Sequence, residues 1–487
     1  MFELAIGLLA VPVLWAITQW RLGLLLCLAT AILQDPLRKL TPDQPVLFVV
    51  FVGAVFAAAC IGALARRIKL SPKILFKQYP HLTMPLSLLL LLTIVQAFVS
   101  YLRFDNLLIP LIGVLTYVMP LFSIVFAYQL ACRQGDFRID QFMKWYVVCI
   151  ALALMTVYLE FSDYDWSILG QVGEKLIIYD ETTGAVMLPS SGLFRASEIA
   201  AWHAMTAACL VVVTFMQRTT FKRLLITVIV AALLIGVGLV TGRRKIVVEM
   251  AVFVATYFIF WIILEKRAGR LAIIALTTAA LAGYAVLAGQ LQEGNPARFD
   301  AGSVDYSSYV ERSRSVFQEV PSRFVELGIA PVMWAYDRFG LFGAGLGVGT
   351  QGTQHFGGGG DIAGAAEGGL GKITLELGIP GLFVMGWCAI LLVRYLWRIM
   401  RAASRQSVRV GRLSIGLFSI LVANVAGFSV ATQAYGDLFV LLILGWMLGF
   451  LLAVPALVER EARAREPKIF EETHSVLRPK IVVSSRI

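Results

Sequence analysis

The chain has 487 residues, 59% of them hydrophobic and 15% charged, with a mean hydropathy of +0.79. Soluble proteins carry roughly 25% charged residues, so this composition excludes a soluble multidomain chain, a disordered chain and a fibrous or collagen-like one. It implies an all-α fold, a polytopic integral membrane protein, because only helices and closed barrels satisfy their backbone in lipid. A net charge of +11 would suggest nucleic acid in a soluble protein. Here the position of the charges decides, and no nucleic-acid partner is expected.

A membrane-crossing helix needs about 20 mostly apolar residues. The first 33 residues hold two short apolar runs, 4–19 and 22–33, on either side of Arg21. They read as two short helices, or as one helix with a buried or snorkelling Arg. Further runs follow at 45–64, 82–101, 107–130, 143–161, 197–215, 224–240, 246–264, 271–289, 373–393, 413–432 and 438–457. The expected architecture is 12 or 13 transmembrane helices with a long outer loop before the last three. The chain divides into N-terminal helices 1–289 (with an outer loop at 162–196), a long loop 290–372, C-terminal helices 373–457 and a tail 458–487. No basic, cleavable leader is evident behind Met1-Phe2-Glu3, and no internal repeat is visible.

Orientation follows from Lys and Arg near the span ends. Residues 65–81 hold Arg66, Arg67, Lys69, Lys73 and Lys77 without an acid, and 394–412 hold six Arg without an acid. Both segments are therefore assigned to the cytoplasm, and alternation sets the rest. Cytoplasmic segments then carry 27 basic and 8 acidic residues, and outer segments 14 and 21. This puts the C-terminus inside. The six cysteines fall in spans or at inner ends, so no outer disulfide is expected. Four scattered His and no HExxH or Cys cluster give no metal site. His203, one turn into its span, reads as a satisfied core residue.

The long loop has two parts. Residues 306–339 read as helical, with aromatic and aliphatic residues alternating with charges and with Pro321 and Pro331 as interruptions. This is either an amphipathic element lying on the bilayer or capping the bundle, or a lid over an outer-facing cavity. Residues 340–371 contain 14 glycines. The run Gly343 to Gly349 is not a P-loop, because Gly371-Lys372 is followed by Ile373 rather than Ser or Thr. Its glycines either approach an anionic or sugar ligand closely or form a flexible loop.

Thr241-Gly242-Arg243-Arg244-Lys245 breaks the charge rule. Alternation puts these three consecutive cations outside, where arginine forks suit phosphate and diphosphate oxygens. The opposite reading, with this turn inside, would misplace the basic turns at 216–223 and 265–270. Arg195 is a second outer cation, or else a surface residue paired with Glu198. Glu376 lies within an apolar run and must be neutral or paired. Glu367 stands at the lip of the same span. Partial desolvation there would suit a general base, while a helix N-terminal acid is the plainer reading.

These residues resemble the bacterial O-antigen ligase and O-antigen polymerase (Wzy-like) superfamily. The likeness lies in a dozen or so spans with one long outer loop before the last few helices, and in short motifs. Asp35-Pro-Leu-Arg-Lys39 resembles the turn after the N-terminal spans, and Ser191-Gly-Leu-Phe-Arg195 the segment entering a later helix. Thr241-Gly-Arg-Arg244 resembles a Thr-x-Ser-Arg turn with Arg243 in place of Ser. Gly343 to Gly349 resembles a Gly-x-Gly step, and Glu376-Leu-Gly-Ile-Pro-Gly-Leu382 a Glu-x-Gly-x-x-Gly closing the loop. Ligases of this family carry His-Asn nine residues before that Glu, and here Glu367-Gly368 stands there. The polymerase pattern of Arg, ten residues and Gly occurs at Arg338–Gly349.

The resemblance implies an inverting, metal-independent membrane glycosyltransferase without a cofactor. It would move or polymerise an undecaprenyl-diphosphate-linked glycan onto a glycan or lipid-linked acceptor, at the outer face of a bacterial inner membrane. Glu367, with His355 nearby, would be the catalytic pair. Arg195, Arg243 and Arg244 would bind diphosphate, and Arg338, Gly345, Gly347 and Glu376 would shape the substrate loop. The expected surroundings are the bilayer and partners of a polysaccharide-export complex. Two other readings stand beside it: a transporter or flippase of a lipid-linked saccharide, needing the anion site but no base, and a scaffold subunit docking through its tail.

Overall fold

The structure, a computed structural model, describes residues 2–173, 177–179, 186–217, 220–265, 319, 321–350 and 367–465. It is a helical membrane bundle. The run 271–289, His355 and most of 290–372 lie outside the described residues.

The N-terminus forms two helices, α1 (Phe2–Thr18) and α2 (Gly23–Leu40), joined by a 3-10 turn at Trp20–Leu22. Arg21 sits exposed at the joint, which decides for two helices over one. A 3-10 turn at Val46–Val50 leads into α3 (Phe51–Ala65), followed by a short α4 (Lys73–Gln78). Next come α5 (Pro80–Phe104), α6 (Leu108–Gln134), α7 (Asp136–Phe161), α8 (Ser197–Met216), α9 (Phe221–Leu239) and α10 (Lys245–Leu264). The C-terminal part has α11 (Ala330–Phe339), α12 (Gly369–Gln406), α13 (Val408–Val430), α14 (Leu438–Leu452) and α15 (Val454–Arg465). Ten described helices are long and apolar enough to cross a membrane, and the pair α14–α15, bent by 50°, makes an eleventh if it is counted as one span. Helix α1 is apolar but shorter. A two-residue hairpin, Ile178–Tyr179 with Val186–Met187, sits in the 162–196 loop.

Helix α8 is the centre, with 83% of its apolar window buried, against 17% for α5. Its small residues Ala200, Ala204, Ala207 and Ala208 let neighbouring backbones approach. Its own Trp202 and the Tyr146 and Phe142 rings of α7 belong to one buried cluster with Trp446 and Phe126. The peripheral helices instead turn apolar side chains outward, such as Ile94, Phe98 and Leu102 on α5, the arrangement that lipid requires.

Helix ends segregate into two sets. At one end, Lys39 reaches the carbonyls of Gly192 and Phe194, Arg195 reaches Asp35 and Asp437, and Arg243 reaches Glu198. At the other, Arg66 reaches the Ile17 carbonyl, Arg409 reaches Asp136, Arg412 reaches Glu265 and Ser407 reaches Glu461. The Thr241–Lys245 turn therefore lies with the first set, as strict alternation requires.

Two prolines behave differently from expectation. Helical structure runs through Pro321, a π-turn at Phe324–Ile329 and then α11, whose first turn carries Pro331. Because helix precedes Pro331 without a break, it both lacks a donor and sets its ring against the carbonyl four residues back. The looser π-turn just before it relieves the clash with the preceding carbonyl. Helix α11 packs on α12, and the π-turn on α12 and α13, so this segment caps the bundle while Ile329, Met333 and Tyr336 stay exposed.

Candidate functional site

The first end of the bundle brings together the motifs that the sequence separates. Asp35 accepts from the Arg195 backbone N–H at 3.0 Å, and its other oxygen lies 3.9 Å from the guanidinium. Asp437 binds the same guanidinium at 2.7 Å and caps α14 by accepting from Val440 N–H at 2.9 Å. Burial opposes the Arg195 charge, but Asp437 and Asp35 together raise the guanidinium above its ordinary value. Lys39 Nζ donates to the Gly192 and Phe194 carbonyls, each at 2.7 Å. From the opposite side Glu160 accepts from the Ser191 and Gly192 N–H groups at 2.8 and 2.6 Å. The Ser191–Arg195 segment is thus clamped between α2 and α7 at the mouth of the central helix. Arg195 is not paired with Glu198: the chain turns into α8 between them, and Glu198 faces the next loop.

There Glu198 pairs with Arg243, whose Nε also donates to Ser197 Oγ at 3.0 Å. Burial pulls the Arg243 guanidinium below its ordinary value, and the Glu198 and Glu367 carboxylates act against that. The direct partners of Arg243 are thus Glu198 and Ser197, at the entry to α8. Arg244 donates to both oxygens of Glu319, at 2.8 and 2.9 Å, and Arg323 reaches the same carboxylate at 2.9 Å. Glu319, one acid of the long loop, therefore sits on the second arginine of the turn.

Glu367 immediately precedes Gly368, the residue that caps α12. Its backbone carbonyl is held by Thr432, from N–H at 2.9 Å and from Oγ1 at 3.0 Å. Its side chain is exposed among the described residues. The partial desolvation expected at this lip is thus not provided by them, because the neighbouring chain holds the backbone and leaves the carboxylate facing out. Arg338 is also exposed, lying 5.8 Å from the Trp334 ring and 5.9 Å from the Phe339 ring.

Gly345 and Gly347 have φ of +118° and +87°. A Cβ on Gly345 would lie 2.8 Å from the Ser100 backbone N, and one on Gly347 would strike the Ile109 carbonyl. Their close approach is thus to α5 and α6 backbone. The strap 341–350 is stitched down: Gln96 Nε2 donates to the Phe342 carbonyl at 2.8 Å, Arg103 to Ala344 at 3.0 Å, and Ala344 N–H to Leu375 at 2.7 Å. Gly378, at φ +71°, breaks α12, and Ile379 N–H there takes the Leu341 carbonyl at 2.9 Å. Glu376, fully buried, accepts from Tyr117 Oη at 2.8 Å and from Gly349 N–H at 3.0 Å. It is paired, as its position demands, and it fastens the strap. Non-helical backbone at this depth is tolerated because it is buried in protein.

A second polar chain runs inward below the cation turn. Tyr435 Oη donates to Asn424 O at 2.9 Å and lies 3.4 Å from Glu249, and Trp202 Nε1 donates to Asn424 Oδ1 at 2.6 Å. His203 is a core residue, 2.6 Å from Tyr146 Oη and stacked on Phe194. The structure adds Asp35, Lys39, Glu160, Glu198, Glu319 and Asp437 to the expected residues. The Asp35–Lys39 motif was the available signal for the first two. The partners of Arg195 and Arg244 are set by tertiary packing and leave no local trace. Among the described residues no three His, Cys, Asp or Glu side chains group as a metal site. The chain matches no protein-family model and no curated protein.

Proposed function

We propose that the protein is a membrane glycosyltransferase of the polysaccharide polymerase or ligase type, working on an undecaprenyl-diphosphate-linked glycan at the outer face of a bacterial inner membrane, with its C-terminus in the cytoplasm. The observation that supports it is that Arg243, Arg244 and Arg195 stand at the same end of the bundle as the exposed Glu367, with a capping segment tied to Arg244. In the reaction an acceptor hydroxyl oxygen bonds to the anomeric carbon while the bond from that carbon to the diphosphate breaks. Glu367 takes the hydroxyl proton. Arg243 and Arg244 offset the charge that develops on the leaving diphosphate, where fixed cations count most. Arg195, already neutralised by Asp35 and Asp437, positions the loop entering α8. Glu319 is the counter-ion that the diphosphate displaces from Arg244, so donor binding and movement of the capping segment are coupled. Exclusion of water, the competing acceptor, would fall to the parts of the long loop outside the described residues.

Purified protein given a lipid-linked glycan and an acceptor should form the longer product. Glu367→Gln should lower kcat by about 100-fold or more, in the range of a lost general base, and Arg244→Ala by a similar factor. Full transfer by both variants would remove these roles. Movement of the lipid-linked saccharide across vesicles, unchanged in Glu367→Gln and without product, would favour the transporter reading.

A further inference from the structure

The opposite end of the bundle carries a basic groove that the proposed reaction does not use. Arg394, Arg398, Arg401 and Arg405 are spaced by four, three and four residues along α12, which places them on one face. All four are exposed, and none pairs with an acid among the described residues. The next two arginines of the chain contrast with them, Arg409 binding Asp136 and Asp140 and Arg412 binding Glu265. Arg394 and Arg398 line a cavity of about 320 Å³ between α12 and the start of α5, with His81, Tyr395, Leu82 and Leu391. Its wall is fixed: Tyr79 and Tyr395 stand edge to face at 4.2 Å, and Tyr79 Oη donates to the Leu452 carbonyl at 3.0 Å. The first turn of α5 adds the positive end of its dipole. On the membrane side the groove runs onto the exposed apolar face of α12, where Trp387, Ile390 and Val393 are open to lipid.

Cations unpaired with any acid among the described residues, beside a helix N-terminus and directly under a lipid-exposed stripe, fit one ligand chemistry: a phosphodiester headgroup with acyl chains below it. We propose that the Arg394–Arg398 groove is a binding site for an anionic phospholipid of the leaflet at this end. The headgroup phosphate lies between the two guanidiniums, and the acyl chains lie along Trp387 and Ile390. The apolar approach is what separates a lipid from free phosphate as the occupant.

The test is native mass spectrometry of the full-length protein, delipidated in detergent and titrated with dioleoylphosphatidylglycerol or dioleoylphosphatidylcholine. Phosphatidylglycerol should bind preferentially. Arg394→Gln/Arg398→Gln should weaken it roughly 30-fold, which is two contacts of about 1 kcal/mol each. Arg394→Lys/Arg398→Lys should retain most of the binding, and Arg21→Gln, at the same end but outside the groove, should leave it unchanged. Equal binding of the two lipids, or unaltered binding by the Gln pair, would overturn the proposal. So would displacement of phosphatidylglycerol by millimolar inorganic phosphate, which would make this a free-anion site.

Discussion

Arg195 shows why a cation at the right place is not yet a ligand-binding cation. Its guanidinium lies between Asp35 and Asp437, whose side chains are 6% and 4% exposed. Removing one partner of such a pair leaves an uncompensated charge and costs about 3–5 kcal/mol. Asp437→Asn should therefore lower thermal stability in detergent by about that much, and adding Arg195→Gln should recover part of it. An Arg195 that served only a ligand would leave the unfolding midpoint of Asp437→Asn unchanged. Gly347 makes a similar claim on the backbone. Gly347→Ala combines a strained φ of +87° with a clash against the Ile109 carbonyl. Strain alone costs about 1–3 kcal/mol, so a lower unfolding midpoint is expected, and an unchanged one would mean that the strap 341–350 is not seated on α5 and α6. The sequence offered Arg195 a neighbour three residues away. The structure gives it two carboxylates from α2 and the start of α14, and nothing local in a sequence marks such partners.

Among the described residues the capping segment meets the cation turn through Arg244 with Glu319. If the donor diphosphate displaces Glu319, then Glu319→Gln should lower KM for the lipid-linked donor by about two- to fivefold, the size of a partly exposed ion pair. A raised KM would instead make Glu319 part of the substrate site. The helical, amphipathic pattern was legible over 321–339, the described part of 306–339, because charges and aromatics alternate along it. How the chain passes two prolines was not: a π-turn is a response to the Pro331 ring, and it depends on packing against α12 and α13. The glycine run was legible as special backbone. That it serves a buried strap around Glu376 appears only once α5, α6 and α12 stand together.

At the scale of the molecule, hydropathy and alternation carried most of the fold. Described spans such as α3, α8, α10 and α13 fall within a few residues of their apolar runs, and the cations at 241–245 join the end that alternation assigns them. The N-terminal ambiguity was one of geometry, since a 3-10 turn at Trp20–Leu22 costs few residues and leaves no composition signal. The two-ended arrangement predicts that Asp105→Cys, Asp337→Cys and Gly436→Cys are labelled by an impermeant maleimide from one side of the membrane, and Gln406→Cys from the other. Mixed labelling among the first three would break the alternation. The site itself was legible as residue types, arginines out of place and an acid at a lip. Its connectivity, with Arg243 on Glu198 and Arg244 on Glu319, was not. The most direct measurement is glycan transfer by the purified protein in liposomes, with the Glu367→Gln and Arg244→Ala variants alongside. Product from the parent protein, with at least about 100-fold less from each variant, is the expected result; transfer at parental rates by both variants would contradict the assignment of this site.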